Sequence, residues 1–310
     1  MKKGQGMQFN WIFVVVAGGV ILAVLAAFTF RYIGLQNQRA NVEIAKTLEI
    51  NFKLLETTEF SLPIDLGTVN KIEFNCLGND EYLLINDNYK QDIKNVVMFA
   101  PKTTRTKQLA GWITSWEYPF LVGKFLYVSG FDNKYFFVGN SELLNDVPSL
   151  FNTEIISSYS DADVKEESKT KFIYFTKPYA DLKKIQEKYP KARVIYINEE
   201  DKKVTFYEDS EEKTEDYYGD AFFYGAIFAD NHESYKCGLE RAVEKLKTAS
   251  KVYISKTNYV SNLDRRVECQ YPSLKSSLDS FAKGNLNDET AENLDNQNKR
   301  LYGEGCPAVF

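Results

Sequence analysis

The longest apolar stretch of the chain runs from Trp11 to Phe30 and contains no ionisable side chain. A helix of about 20 residues, rising about 1.5 Å per residue, spans the hydrocarbon core of a bilayer. A buried helix of a soluble protein is rarely apolar on every face. The pattern therefore predicts a transmembrane helix at residues 11–31. A cleaved secretory signal with its cut near Ala27 is the main alternative, but the apolar run is longer than that of most signals.

Beyond this stretch, apolar residues recur at helical spacing. Ala45, Leu48, Phe52 and Leu55 are separated by three, four and three positions. This spacing indicates that the same helix continues to about Thr57. We therefore expect residues 32–58 to form a helical stalk above the membrane.

Three small residues within the apolar stretch could form a contact face for another membrane helix. Gly19, Ala23 and Ala27 stand four positions apart and share one side of the helix. Small residues at this spacing let two helices approach closely. They are also common in membrane helices that do not pair, so both interpretations stay open.

Short runs rich in β-branched and aromatic residues follow, at residues 72–76, 82–85, 96–100, 111–116, 125–129 and 135–138. Residues that favour turns separate these runs. The pattern predicts a mainly antiparallel β region over residues 59–152. We expect turns at residues 78–80, 87–88 and 132–133, and a helix that begins after Ser141 and ends near Leu150.

Residues 153–216 show a strand, a helix and a strand in close succession. The strands are FIYFT at 172–176 and ARVIYIN at 192–198, and the helix over 179–189 ends before Pro190. This order predicts a right-handed βαβ unit with parallel strands. Residues 204–207 could add a strand, and we expect the acidic residues 208–220 to form a solvated loop. The first turn of the unit has no glycine, which argues against a dinucleotide site.

Residues 217–310 have a helical pattern, with helices expected at 222–228, 233–263, 274–281 and 289–301. The long helix carries an apolar stripe of Leu239, Val243, Leu246, Val252 and Ile254, which we expect to pack on the sheet. The predicted fold is an α+β (mixed α/β) extracytoplasmic domain on a single N-terminal transmembrane helix. It contains an antiparallel sheet, one βαβ unit and C-terminal helices.

The distribution of charge predicts how the chain is oriented. Lys2 and Lys3 precede the apolar stretch without any acidic residue, whereas Arg31 and Arg39 are soon followed by glutamates. The positive-inside rule then places residues 1–10 in the cytoplasm and the main domain outside the plasma membrane. A formal net charge of -5 argues against a nucleic-acid partner, which requires a basic surface.

The cysteines agree with an outward-facing domain. Cys76, Cys237, Cys269 and Cys306 are widely spaced, and the chain has one histidine, so disulfides fit better than zinc. We favour Cys237 with Cys269, which bracket a helical hairpin, and Cys76 with Cys306, which would tie the tail to the early strands. The pairing of Cys269 with Cys306 stays open, and four buried thiols in a cytosolic domain are the alternative.

The sequence contains no recognisable catalytic, cofactor or metal motif, and we expect a protein that is not an enzyme. His232 is the only imidazole, and we expect it in the first turn of a helix. An aromatic cluster is the one candidate for a docking patch, although aromatic residues in a sheet are more often core. It consists of Trp112, Trp116, Tyr118 and Phe120.

Two resemblances to known families bear on function. Lys2-Lys3-Gly4-Gln5 before an apolar helix resembles the class III signal of archaeal type IV pilin-like proteins, which are cut beside the glycine and polymerise through the helix. The glutamate typical of that family would fall at Phe9, or at Trp11 after a cut at Gly6, and this chain lacks it. Over most of its length the chain resembles single-pass surface proteins of DPANN-type archaea. The segments GMQFNWIFVVVAGG, VVMFAPK, WITSWEYPFLV, FLYVSG and GAIFADNHESYKC carry that resemblance, which implies no known activity.

These observations predict a membrane-anchored cell-surface structural or interaction protein. Its expected partners are the lipid bilayer and other envelope proteins, or copies of itself through the N-terminal helix. A pilin-like filament subunit is the first alternative, and a membrane-anchored enzyme of unrecognised type is the second.

Overall fold

The structure of the protein is a computed structural model that describes residues 5–58, 60–77, 80–164, 169–178, 180–208, 211–263, 266 and 269–310. The signal-like residues 1–4 and the predicted turn residues 78 and 79 lie outside the described residues. The helices are α1 (Gln5–Thr58), α2 (Leu182–Lys188), α3 (Asp220–Phe228), α4 (His232–Leu263), α5 (Tyr271–Ala282) and α6 (Asp288–Gly303). The strands are β1 (Ser61–Leu77), β2 (Asp80–Ile85), β3 (Tyr89–Ile93), β4 (Val96–Phe99), β5 (Thr103–Glu117), β6 (Leu121–Gly130), β7 (Asn133–Val138), β8 (Thr153–Ile156), β9 (Lys169–Tyr174), β10 (Arg193–Asn198), β11 (Lys203–Glu208) and β12 (Glu211–Asp216).

The first sheet has the strand order β3-β2-β1-β5-β6-β4 and is antiparallel except for the pair β4 and β6. It curls strongly: the Glu81 carboxylate on β2 accepts a hydrogen bond from the Met98 backbone N–H on β4 at 3.3 Å. Three strands separate β2 from β4, and at about 4.8 Å per strand a flat sheet could not bring them together. The mainly antiparallel character expected for this region is confirmed.

The second sheet has the order β12-β11-β10-β9-β7-β8, and its strands from β8 to β10 are parallel. The unit β9–α2–β10 confirms the predicted βαβ arrangement. The assignment of residues 135–138 to the antiparallel region was wrong, because β7 pairs in parallel with β8 and β9. Both of its neighbours come later in the chain, so local sequence carries no signal for this pairing.

The prediction of an acidic, solvated loop over residues 208–220 was also wrong in part. Glu211–Asp216 forms β12, which pairs antiparallel with β11 along six residue pairs. Its side chains are charged because it is an edge strand, where charge discourages pairing with another chain. Strand formation here depends on backbone pairing rather than on apolar burial.

The helix expected after Ser141 is a short 3-10 turn, Glu142–Asp146, rather than a helix reaching Leu150. Ser141 caps it as predicted, and its hydroxyl accepts a hydrogen bond from the Leu143 N–H at 3.3 Å. Pro148 disfavours helical backbone at the preceding Val147, which explains why the turn ends there.

Three apolar clusters organise the fold. The end of α1 packs on one face of the first sheet, and α2 packs on the outer face of the second sheet. The largest cluster joins the remaining faces of both sheets to α3, α4, α5 and α6. In α4, Leu246 is fully buried as the stripe predicts, whereas Val252 is exposed, so its place in the predicted stripe was wrong.

Candidate functional site

The helix α1 divides into an exposed segment and a packed segment. It is unbroken from Gln5 to Thr58, which confirms the predicted continuation. From Trp11 to Leu35 its large apolar side chains are exposed on every side, and by length and composition this segment could cross a membrane. No other helix in the described part of the chain passes that test.

The upper third of α1 is not a free stalk, as expected for residues 32–58, but part of the domain. Leu48 and Leu55 are completely buried against the first sheet, and Ile44, Ala45 and Phe52 are nearly so. Only residues 31–40 are exposed on all sides between the apolar segment and the domain. The stripe read from the sequence is therefore a packing face, and it fixes the helix rigidly to the domain.

A cluster of asparagines fastens the first packed turn of the helix. The Asn86 side-chain amide donates to the side-chain oxygens of Asn41 on α1, at 2.8 Å, and of Asn70 on β1, at 3.0 Å. The Asn86 oxygen accepts from the Lys71 N–H at 3.0 Å. Asn86 adopts a left-handed backbone (φ 49°) in the β2–β3 turn, which asparagine tolerates better than most residues. Hydrogen bonds of buried amides require one geometry, so they set where the helix meets the sheet.

The predicted helix-pairing residues, Gly19, Ala23 and Ala27, are exposed on the lower part of α1. Positions 18 residues apart share one side of an α-helix, because 18 residues make about five complete turns. Ala23 thus lies below Asn41, and Ala27 lies below Ala45. The small residues face the same side as the packed stripe, so the domain stands directly above them.

The predicted docking patch is core. Trp112, Trp116, Tyr118 and Phe120 are each at most 7% exposed. The Trp116 indole N–H donates to the Tyr218 carbonyl at 2.9 Å. The four rings lie between the first sheet and the C-terminal helices, so they are not available to a partner.

The favoured disulfide pairing was wrong, and the open alternative for Cys269 is found. Cys76 on β1 pairs with Cys237 on α4, and Cys269 pairs with Cys306. The error has a physical cause: α4 runs along the first sheet, so its first turns lie beside the end of β1 and far from Cys269 at its other end. The C-terminal tail is held by a cross-link as expected, but to Cys269, two residues before α5 begins.

The first disulfide lies beside a buried ion pair. Glu81 is 2% exposed, and its carboxylate lies 3.2 Å from the Arg241 Nε on α4. Burial raises the pKa of Glu81 to about 7, against the opposing effects of the Arg241 charge and the Met98 N–H. Removal of one partner would leave an uncompensated buried charge. Sequence reasoning missed this pair because its members are far apart in the chain.

The only histidine belongs to a charged network that holds the junction of α3 and α4. His232 begins α4 as expected; its backbone N–H donates to Glu208 at 2.8 Å, and its ring Nε2 lies 2.9 Å from Glu215. Lys171 donates to the carbonyls of Ala226, at 2.8 Å, and Ala229, at 2.6 Å, at the end of α3. A carboxylate at a helix start and an ammonium at a helix end both complement the helix dipole.

Lys171 is the most perturbed cation in this network. Its side chain is buried, and burial lowers its pKa to about 7, against the attraction of Asp230. Both its bonds are to helix-end carbonyls, so its position is explained by helix capping. A lysine within a strand that is buried on both faces is the one sign of this position in the sequence, because such strands are usually apolar throughout.

Two grooves among the described residues are open to solvent. One of about 470 Å³ lies between the packed part of α1 and β3, with charged side chains on both sides. One of about 40 Å³ lies beside Lys171. Among the residues that the structure describes, no group of three His, Cys, Asp or Glu side chains could hold a metal ion.

The chain matches no protein-family model, no curated protein and no solved structure. We therefore infer its function from its own geometry. The feature that this geometry marks most clearly is the junction between an uncovered apolar helix and a disulfide-linked domain.

Proposed function

We propose that this chain is a single-pass membrane protein whose domain stands on the outer surface of the plasma membrane as a structural or interaction component. One observation carries the proposal: α1 is apolar and uncovered from Trp11 to Phe30, then becomes part of the domain from Asn41 onward. Exposure of so large an apolar surface to water is unfavourable, whereas lipid or another apolar helix would cover it. The two disulfides support an oxidising compartment.

The rigid junction supports a mechanical or presenting role. A flexible linker would let the domain move freely, whereas a continuous helix transmits any tilt or rotation of the anchor to the domain. The polar groups that could have supported catalysis hold helix ends or the α4 interface instead. The proposal accordingly assigns no catalytic role, and its partners are envelope proteins or copies of this chain.

Labelling of single cysteines tests the orientation. All four native cysteines are paired, so an introduced cysteine is the only free thiol of the folded protein. We expect a membrane-impermeant maleimide to label Ser255→Cys, on the exposed side of α4, in intact cells. Lys3→Cys should react only after lysis, and Val20→Cys only after detergent is added. Labelling of Lys3→Cys but not Ser255→Cys in intact cells would indicate the opposite orientation. Labelling of Val20→Cys in membranes without detergent would contradict a transmembrane segment at this position.

Crosslinking tests the interaction role. Intact membranes are treated with an amine-reactive crosslinker, and the protein is then isolated under denaturing conditions. We expect a discrete product larger than the monomer, with linked lysines on the domain surface. A protein that stays monomeric at every crosslinker concentration would contradict the role.

A filament subunit is the second candidate, and the uncovered apolar half of α1 is the observation that favours it. Helices of neighbouring subunits could cover this surface instead of lipid. The N-terminal peptide of the mature chain distinguishes the two candidates. Loss of the residues up to Gly4 or Gly6 would support the filament, and a retained Met1 would count against it.

A further inference from the structure

Two cross-links of different chemistry join the first sheet to α4 at the same place. Cys76 and Glu81 face each other across the β1–β2 pair, and Cys237 and Arg241 lie one turn apart on α4. The disulfide therefore joins one residue of each pair, and the ion pair joins the other two. The two links are close enough to affect each other.

The distance between them is short. The Cys76 Sγ lies 3.9 Å from the Glu81 Oε1, within the reach of a hydrogen bond to sulfur. In the disulfide this sulfur has no hydrogen to donate. The groups that act on the carboxylate are the Arg241 guanidinium, the Met98 N–H and the Lys245 ammonium.

We propose that Cys76–Cys237 is a redox-responsive link whose reduction by a dithiol is coupled to the protonation of Glu81. A thiolate of the dithiol attacks one sulfur of the disulfide, and the electron pair of the broken bond passes to the other sulfur. The second thiolate of the dithiol then displaces the remaining cysteine. The protein disulfide becomes two thiols, the dithiol becomes a disulfide, and two hydrogens pass from the dithiol to the cysteines.

This exchange by itself moves no net proton. Its equilibrium constant is therefore independent of pH below about pH 8, where ordinary thiols are protonated, unless another group changes its pKa between the two states. Glu81 is such a group. In the reduced protein the Cys76 thiol donates to its carboxylate, and a donor favours the charged form. Reduction is therefore more favourable when Glu81 is ionised. Because the pKa of Glu81 is lower in the reduced protein than in the oxidised protein, reduction releases a proton from Glu81 at pH values between the two pKa values.

The second disulfide, Cys269–Cys306, is a reference in the same molecule. Both disulfides meet the same dithiol, detergent and temperature. The comparison of the unaltered protein with Glu81→Gln isolates the effect of Glu81.

The experiment uses the full chain in detergent, equilibrated with reduced and oxidised dithiothreitol between about pH 5.5 and about pH 8. Acid quenching, alkylation and peptide mass mapping give the reduced fraction of each pair. We expect the constant for Cys76–Cys237 to rise about tenfold over this range, the effect of one hydrogen bond of ordinary strength. Glu81→Gln, which keeps the shape but does not titrate, should remove this rise and leave the constant for Cys269–Cys306 unchanged.

A constant for Cys76–Cys237 that does not change with pH in the unaltered protein would overturn the proposal, and this result needs no variant to fold. A rising profile that persists in Glu81→Gln would overturn the assignment to Glu81. Should Glu81→Gln fail to fold, Arg241→Lys is the second variant, because it keeps the charge but alters the contact. We expect the equilibrium constant for Cys76–Cys237 to rise at a different pH in this variant. An unmoved rise would contradict the role of the ion pair. Neither outcome depends on membrane orientation, so the proposal stands or fails separately from the proposed function.

Discussion

At the scale of single residues, two glycines make room for one aromatic ring. Phe99 on β4 is 1% exposed and lies between α3 and α4. A Cβ added at Gly238 on α4 would lie 2.5 Å from this ring, and one at Gly225 on α3 would lie 2.9 Å from it. No side chain fits at either position unless the ring moves, so both glycines are required for close packing rather than for backbone freedom.

Gly238→Ala should therefore destabilise the protein by about 1 to 3 kcal/mol, the usual effect of overpacking a core. Gly303→Ala is the matched control, because it lies in a helix with nothing within 4 Å of the added carbon. We expect that control to be neutral or slightly stabilising. Urea unfolding followed by circular dichroism measures both, and equal stabilities would contradict the packing argument.

The buried Lys171 gives the stability a dependence on pH. Its folded pKa of about 7 lies below its ordinary value of 10.5, so between these values the unfolded chain holds more protons than the folded one. Stability therefore rises with pH across that window, by at most about 1.4 kcal/mol per pH unit. Below about pH 7 the full cost of burying the charged ammonium is present.

Lys171→Met removes this titration, and we expect the stability of the variant to rise less between about pH 7 and about pH 9.5 than that of the unaltered protein. The variant also loses the bonds to Ala226 and Ala229, so the slope and not the absolute stability is the test. Lys191→Met, at an exposed position, is the control and should keep the original slope. A slope that Lys171→Met leaves unchanged would show that other groups cause it.

Residue-scale reasoning from the sequence succeeded where chemistry is local and failed where it depends on distant contacts. The helix-start position of His232 followed from its neighbours. The partners of Cys76 and Glu81 on α4 did not, because about 160 residues separate them in the chain, and the separation of the disulfide is 161. The aromatic cluster was recognised as mostly core for a physical reason, namely that aromatic side chains in a sheet usually bury their area.

At the scale of elements, the packing of α1 on the first sheet is the interaction that joins the apolar segment of the helix to the domain. Leu48 is 0% exposed within it, whereas Ile50, two residues later, is 66% exposed on the opposite side. The same helix thus offers a buried and an exposed apolar residue of similar size. A comparison of substitutions at Leu48 and Ile50 therefore separates the effect of packing from the effect of losing an apolar side chain in the helix.

Leu48→Ala should lower the free energy of unfolding by about 2 to 5 kcal/mol, because it removes apolar contacts and leaves a cavity. Ile50→Ala should change it by less than about 0.5 kcal/mol, as is usual at an exposed position. Thermal unfolding in detergent, read at the aromatic bands, compares the two variants. A similar loss in both would mean that the upper helix is not packed as described.

Element prediction worked for segments with strong periodicity. The apolar span, the long α4 and the βαβ unit follow from repeated spacing and from turn residues. The early part of β1 and the strand β12 were missed, because one is interrupted by a bulge between Asp65 and Asn70 and the other has only charged and polar side chains. Such strands are set by their hydrogen-bonding neighbours, which a single sequence does not display.

At the scale of the whole molecule, the domain stands close to the apolar span and to one side of it. From Phe30 to Asn41 the helix rises only about 16 Å, at about 1.5 Å per residue. The same side of the helix carries the small residues below and the domain above. A second copy placed in register against the small residues would need to occupy the volume of the first domain.

Disulfide crosslinking in membranes tests this geometry. We expect Ala23→Cys to form no link between copies, because the domain prevents an in-register approach on its side of the helix. Ile21→Cys lies on the opposite side and is the matched control, which the domain leaves free to link if copies meet. An efficient disulfide between two copies of the Ala23→Cys variant in the bilayer would contradict the placement of the domain.

In the proposed membrane placement, the position of the domain gives the apolar span of α1 a front and a back within the plane of the bilayer. Copies that meet back to back form a closed pair, and the pair has no remaining surface for growth at the same depth. Growth on the front requires each copy to move along the helix axis, which would draw its apolar segment out of the lipid. Under the proposed membrane placement, we therefore expect assembly beyond a pair to require the helix to leave the bilayer.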